Sequence, residues 1–135
     1  MSGDVRDNLT QEHGELALRF GAAQREIASG DVQRARAAVA LLRRDLDSHF
    51  EQEAHLHFPV VGGLRPERRD ALQALVAAHD ALRARVAEID GHLAGAGELG
   101  AARTALEALE AALERHEREE EALILDLERD TGPSA

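Results

Sequence analysis

His49-Phe50-Glu51-Gln52-Glu53 and His116-Glu117-Arg118-Glu119-Glu120 make the same statement twice in a chain of 135 residues. Each sets a histidine and a glutamate four apart, one helical turn, so that both side chains share a face. Their neighbours say which face. Val32, Ala35, Val39, Leu42 and Leu46 lead into the first pair and Leu56 follows it, in alternating steps of three and four. Leu106, Leu109 and Leu113 lead into the second, and Leu123 and Leu127 follow, with the same alternation. That rhythm is the inward seam of a bundle helix. In both stretches His and Glu stand where the rhythm calls for leucine. A carboxylate buried there unpaired is costly, and no seam position carries an arginine to pair with it.

Two more seams flank these. Leu9, His13, Leu16, Phe20, Ala23 and Ile27 mark a first helix from about Asp4 to Ser29-Gly30. Gly14, a poor helix former, sits beside His13 as a candidate for close helix approach. Asp31 is a good N-cap for the second helix, which is expected to end near His57, where Phe58-Pro59 and Gly62-Gly63 interrupt it. Leu72, Leu75, His79, Leu82, Val86, Ile89 and Leu93 mark a third helix opening at Pro66-Glu67. The loop Gly95-Ala96-Gly97 leads to a fourth, from between Glu98 and Ala101 to about Arg129, with a polar tail over 130–135. Long helices and short loops predict an all-α fold, an up-down-up-down antiparallel four-helix bundle. One domain over 1–135, with its core at about 5–129, is the expectation for this length.

Six residues therefore interrupt the four seams: His13, His49, Glu53, His79, His116 and Glu120. Helical rise tests whether they share a layer. Measured from Val5, His13 falls at ~12 Å, His49 at ~9 Å, Glu53 at ~3 Å, His116 at ~13 Å and Glu120 at ~7 Å, with His79 apart at ~20 Å. Four imidazoles and two carboxylates in one layer can hold two metals, two histidines to each and the carboxylates bridging. Two histidines and a carboxylate with open positions suit non-haem iron, and metal charge removes the objection to buried glutamates.

This ordered set resembles the hemerythrin-like (HHE cation-binding) family. The matching elements are His13, His49-x-x-x-Glu53 followed by Phe58-Pro59, His79, and His116-x-x-x-Glu120-Glu121. The resemblance covers about residues 5 to 128 and implies two Fe ions in a non-haem di-iron centre with an oxo or hydroxo bridge, with zinc or manganese as alternatives. It implies a small-molecule ligand: O2, peroxide or NO. One departure stands out. O2-carrying hemerythrins have two histidines four apart on the third helix, whereas Leu75 and Arg83 flank His79 here. They also often carry an aspartate five residues after the last histidine, where this chain has Glu121. A more open coordination sphere follows, which favours sensing or peroxide chemistry over simple O2 carriage. A protein that binds or senses O2, nitric oxide or iron itself and a peroxide-consuming enzyme both stay open, with a structural bundle holding zinc or no metal as a third reading.

The other polar residues receive plainer expectations. His55, His57 and His92 lie off the seams and read as surface residues, with contact to the site a lesser reading for His57, one turn after Glu53; Glu51, Glu117 and Glu119 read as solvated charges. Glu121 is a candidate partner for a ligand histidine, and Phe20 and Phe58 read as core. A net charge of −10 argues against nucleic acid and anionic membranes as partners. The absence of cysteine excludes disulfides and thiolate metal sites. No apolar run approaches a membrane span and no signal-peptide core opens the chain, so a cytoplasmic location is expected. Oligomeric state has no sequence signal.

Overall fold

Asp31 opens the second helix as expected, its side chain accepting from the Arg34 N–H at 3.0 Å. Gly30, at φ +84°, closes the helix before it in the left-handed conformation that glycine adopts freely. The computed structural model describes residues 2–95 and 97–131, and the side chains of 10–95 and 97–123. The side chains of Leu9 and Leu127, and the tail over 132–135, lie outside the described residues. The helices are α1 (Ser2–Ser29), α2 (Val32–Gln52), α3 (Phe58–Leu64), α4 (Arg69–Leu93) and α5 (Leu99–Thr131). A π-turn, Glu53–His57, joins α2 to α3, and a 3₁₀ turn, Pro66–Arg68, precedes α4.

The four long helices form the bundle that the sequence predicts, with α1 against α2 and α5, and α4 against α2 and α5. Side-chain bridges give the directions. Arg19 meets Asp45 while His49 meets Glu12, and Arg43 meets Asp90 while Arg83 meets Asp47. As one residue number rises its partner's falls, so neighbours run antiparallel. Among the described residues no helix is long and apolar enough to cross a membrane.

Two expectations for the second helix fail together. It does not end at His57: the helical path runs on to Leu64. The Phe58 N–H bonds the Glu53 carbonyl, five residues back rather than four. This wider turn inserts one residue, and each residue of a helix turns the chain by about 100°. The seam is thrown off register. Leu56, expected inside, is 55% exposed, and His57, expected at the surface, is 2% exposed. Pro59 follows immediately, where a wider turn relieves the clash that a proline ring makes with the preceding carbonyl.

The extra helix also corrects the height of His79. Seven residues of α3 add about 10 Å at 1.5 Å each. The chain descends that much further before α4 climbs back, and His79 arrives level with Glu53. The polar layer thus lies between two apolar clusters. The larger runs from Leu16, Leu46 and Leu82 to Leu113, and the smaller comprises Phe58, Val61, Leu72 and Leu75. Phe20 and Phe58 are core, as read from the sequence.

The close approach assigned to Gly14 is not there, since a Cβ built on it meets nothing within 4 Å. The glycine that packing requires is Gly97, at φ +79°, where a Cβ would lie 2.7 Å from Val32 Cγ2. Gly14→Ala is therefore expected to stabilise the metal-free chain by up to about 1 kcal/mol. Gly97→Ala should destabilise it by more than about 1 kcal/mol, from left-handed backbone strain and overpacking. Urea denaturation of both variants checks the signs.

Candidate metal centre

His49 lies in the last turn of α2 and Glu53 opens the π-turn that follows, while His116 and Glu120 lie within α5. α1 contributes His13 and α4 contributes His79. Each reaches the layer because its seam of threes and fours aims it inward. All six named from the sequence converge. Glu53 and Glu120 are 0% and 1% exposed, His49, His79 and His116 are buried, and His13 is partly covered at the rim.

The six residues form two overlapping donor groups able to hold a metal ion. One is His13, His49, Glu53 and Glu120; the other is Glu53, His79, His116 and Glu120. Within each, the ligand atoms lie within 4.8 Å of one another. Both glutamates belong to both groups, and the histidines divide into pairs. The ring centroids of His13 and His49 are 5.2 Å apart, and those of His79 and His116 are 5.1 Å apart.

These donors crowd without satisfying one another. His116 Nε2 is 2.7 Å from Glu120 Oε1, and His49 Nε2 is 3.4 Å from Glu53 Oε2, neither in hydrogen-bond geometry. Glu53 Oε2, both Glu120 oxygens and the Nε2 atoms of His13, His49 and His116 are buried without a hydrogen-bond partner. One contact is a true hydrogen bond, His79 Nε2 to Glu53 Oε1 at 3.0 Å. Buried polar atoms are otherwise almost always paired. Lone pairs that converge on a common centre but not on each other are what a bound cation satisfies, and oxygen with imidazole nitrogen suits iron, manganese and zinc.

A family model for the hemerythrin HHE cation-binding domain matches residues 4–127. The chain belongs to that family. No curated protein matches the chain, and no solved structure does. Membership in the HHE family agrees with the resemblance drawn from the sequence and with a role in binding metal cations.

An outer ring of carboxylates surrounds this HHE centre. Glu12 bonds His49 Nδ1, turning Nε2 inward. Glu121 Oε1 lies 3.2 Å from His13 Nδ1, the partner role anticipated for it. Glu117 was expected on the solvated face but is half-buried, 3.3 Å from His13 Nε2, because that flank of α5 packs on α1. Glu12 went unread in the sequence because it lies off the seam; the general pairing of ligand imidazoles with carboxylates was the available signal. Phe50 also went unread. Its ring stacks on His79 at 4.1 Å and carries the Arg83 guanidinium on its other partner contact, 5.2 Å away. His55, Glu51 and Glu119 are exposed as expected. His92 is half-buried near Glu88 and Glu98, at 3.6 and 3.7 Å.

The metal-free electrostatics are strained. Burial pushes the Glu53 carboxyl up to about 9, aided by the Glu120 carboxylate beside it. Burial lowers the His49 imidazole, but its hydrogen bond to Glu12 and the close Glu53 and Glu120 carboxyl groups outweigh it and raise the group to about 10. Burial and the nearby His116 lower His79 to about 4. Burial raises Glu117 to about 7. At neutral pH, then, Glu53 holds a proton and His49 is an imidazolium. Both folded values exceed the unfolded ones, so their stabilising contribution is present on the acid side and is lost as pH rises through about 9 and about 10. A metal must displace both protons. Zinc titration of the metal-free chain at pH 7, in two buffers of different ionisation heat, is expected to release at least about two protons per chain. Release of none would contradict this protonation pattern.

Proposed function

We propose that the chain is a non-haem di-iron protein that binds O2 or a related small oxidant, peroxide or nitric oxide, in sensing or oxidative-stress handling. The observation that carries this reading is the sharing of Glu53 and Glu120 between two donor groups. His13 and His49 would hold one iron, His79 and His116 the other, and the two glutamates would lie between them. Bound iron would supply open coordination positions and a redox couple for small oxidants.

The chain's own residues support that use. Glu12 and Glu121 fix two imidazoles with Nε2 inward. The apolar clusters on either side of the layer keep bulk water away. Two clefts approach its walls. A polar one of about 260 Å³ between α1 and α2 ends on Glu12 and His49. An apolar one of about 310 Å³ between α3 and α4 ends on Phe58, whose ring is 6.2 Å from His79. Both are the size for small molecules. The charge of −10 disfavours a nucleic-acid partner.

A second reading, turnover of peroxide, rests on α4. It brings a single imidazole to the layer, while Leu75 packs in the smaller cluster and Arg83 bonds Asp47 and Asp80. That leaves more room for an exogenous ligand than a second α4 histidine would. Catalytic loss of peroxide, against a stable ligand-bound spectrum without turnover, separates the readings.

Iron analysis of protein loaded with Fe(II) and then oxidised, with its near-ultraviolet di-ferric absorption, tests the centre itself. About two irons per chain are expected from the two donor groups. Glu53→Ala and Glu120→Ala should each fall well below the wild-type content, while His55→Ala keeps it; full retention by the glutamate variants refutes bridging. His49→Leu, which restores the apolar seam, is expected to raise the melting temperature of the metal-free bundle, and a clear drop would refute the cost assigned to the polar layer.

A further inference from the structure

His57 belongs to neither donor group, yet the fold goes to some length to bury it. The π-turn over Glu53–His57 turns Leu56 out to 55% exposure and His57 in to 2%. An unbroken α-helix would hold Leu56 and His57, three and four residues on from Glu53, both near its face. Burying leucine is favourable by about 1.5–3 kcal/mol, and a buried polar atom left unpaired costs about 1–3 kcal/mol. Packing alone therefore selects the helix without the π-turn. His57 Nδ1 is one of the buried atoms with no hydrogen-bond partner. It lies one helical turn beyond Glu53, and the charges that act on its ring are those of Glu12, His49 and Glu120. Following His49 and Glu53 on one helical path, it lies on the α2 side of the layer, where Glu12 meets His49. Single π-turns concentrate at functional sites, and this one exchanges an apolar residue for an imidazole with a spare nitrogen.

We propose that His57 is a fifth imidazole of the centre, one that stays off the metals and offers its buried ring nitrogen as a hydrogen-bond donor to the small anion or oxidant taken up beside His13 and His49. The role rests on the di-iron reading above and deepens it. It assigns a ligand-contacting residue to the more polar half of the site. It also gives a reason for the π-turn, which brings His57 in at the expense of Leu56.

Azide, a small anion that reports on ferric sites by its charge-transfer band, is the probe. Wild type, His57→Leu and His57→Asn are loaded with iron, oxidised and titrated with azide. All three should keep the wild-type iron content. His57→Leu should bind azide about tenfold more weakly, the loss of one hydrogen bond to a charged group. His57→Asn, which keeps an amide donor near the Nδ1 position, should recover most of that affinity. Equal azide affinity in His57→Leu overturns the proposal, and so does loss of iron from it, which would make His57 a ligand. A second arm needs no metal. Replacing an unpaired buried imidazole with leucine should raise the melting temperature of the metal-free chain; a lower one makes His57 a structural core residue and overturns its role. Wild type that fails to hold about two irons defeats the di-iron reading itself, visibly before any variant is compared.

Discussion

Two carboxylates at the centre of a helical bundle constrain everything around them. Glu53 and Glu120 are all but inaccessible, and a buried charge without compensation is among the costliest things a fold can contain. The chain places no arginine on the seams that lead to them. It provides four imidazoles instead, and these are compensation of a particular kind. An imidazole is a weak cation when protonated and a metal ligand when not. The same ring can neutralise a glutamate in the metal-free protein and share a cation with it in the loaded one. His49, its imidazole raised to about 10 against the Glu12 carboxylate, is placed for the first state. The unpaired Nε2 and carboxylate atoms are poised for the second.

That requirement sets the geometry of the bundle. The six groups must arrive at one height from four helices of different length. Apolar clusters above and below isolate the layer. The helical path through Leu64 supplies the descent that lets α4 bring His79 level with Glu53. The π-turn sits where the demands on α2 conflict, between a helix that must point His49 and Glu53 inward and one that must pack Phe58 and Val61 below them. One added residue reconciles the two, and the register it imposes decides what faces the centre from beneath.

The sequence carried the fold and the six-residue set because both depend on one signal, the steps of three and four. That signal is strong wherever the helix is regular, and all seven seam positions of α4 are buried as read. It failed where its premise failed. Leu56 and His57 exchange places because the spacing assumes 3.6 residues per turn through a segment that is wider. Phe58-Pro59 was read as a helix end because proline usually stops a helix, yet a π-turn just before it removes the obstacle. Glu12, Glu117 and Phe50 were missed for a different reason. They flank the seam rather than lie on it, and their roles depend on which neighbouring helix covers that flank, a tertiary fact with no local signature. Gly14 and Gly97 make the same point, since only the fold reveals that Val32 lies against one and nothing against the other.

The two halves of the layer are built from the same donors but supported differently. On the α1–α2 side, His13 and His49 each have a carboxylate on the ring nitrogen that faces outward. Such a partner makes the inward nitrogen more basic and fixes its direction. On the α4–α5 side, His79 is held by aromatic stacking, against Phe50 at 4.1 Å and beside Phe58 at 6.2 Å. Stacking fixes the plane of a ring but adds no negative charge to it. A cation in the first half would therefore meet stronger donors and more anionic surroundings, in a wall reached by the polar cleft. One in the second half sits behind an apolar wall with Phe58 between it and the apolar cleft. Equal donor groups in unequal surroundings would give any metals they held unequal character. The half with the more anionic surroundings is the one that shares its helical path with the buried His57.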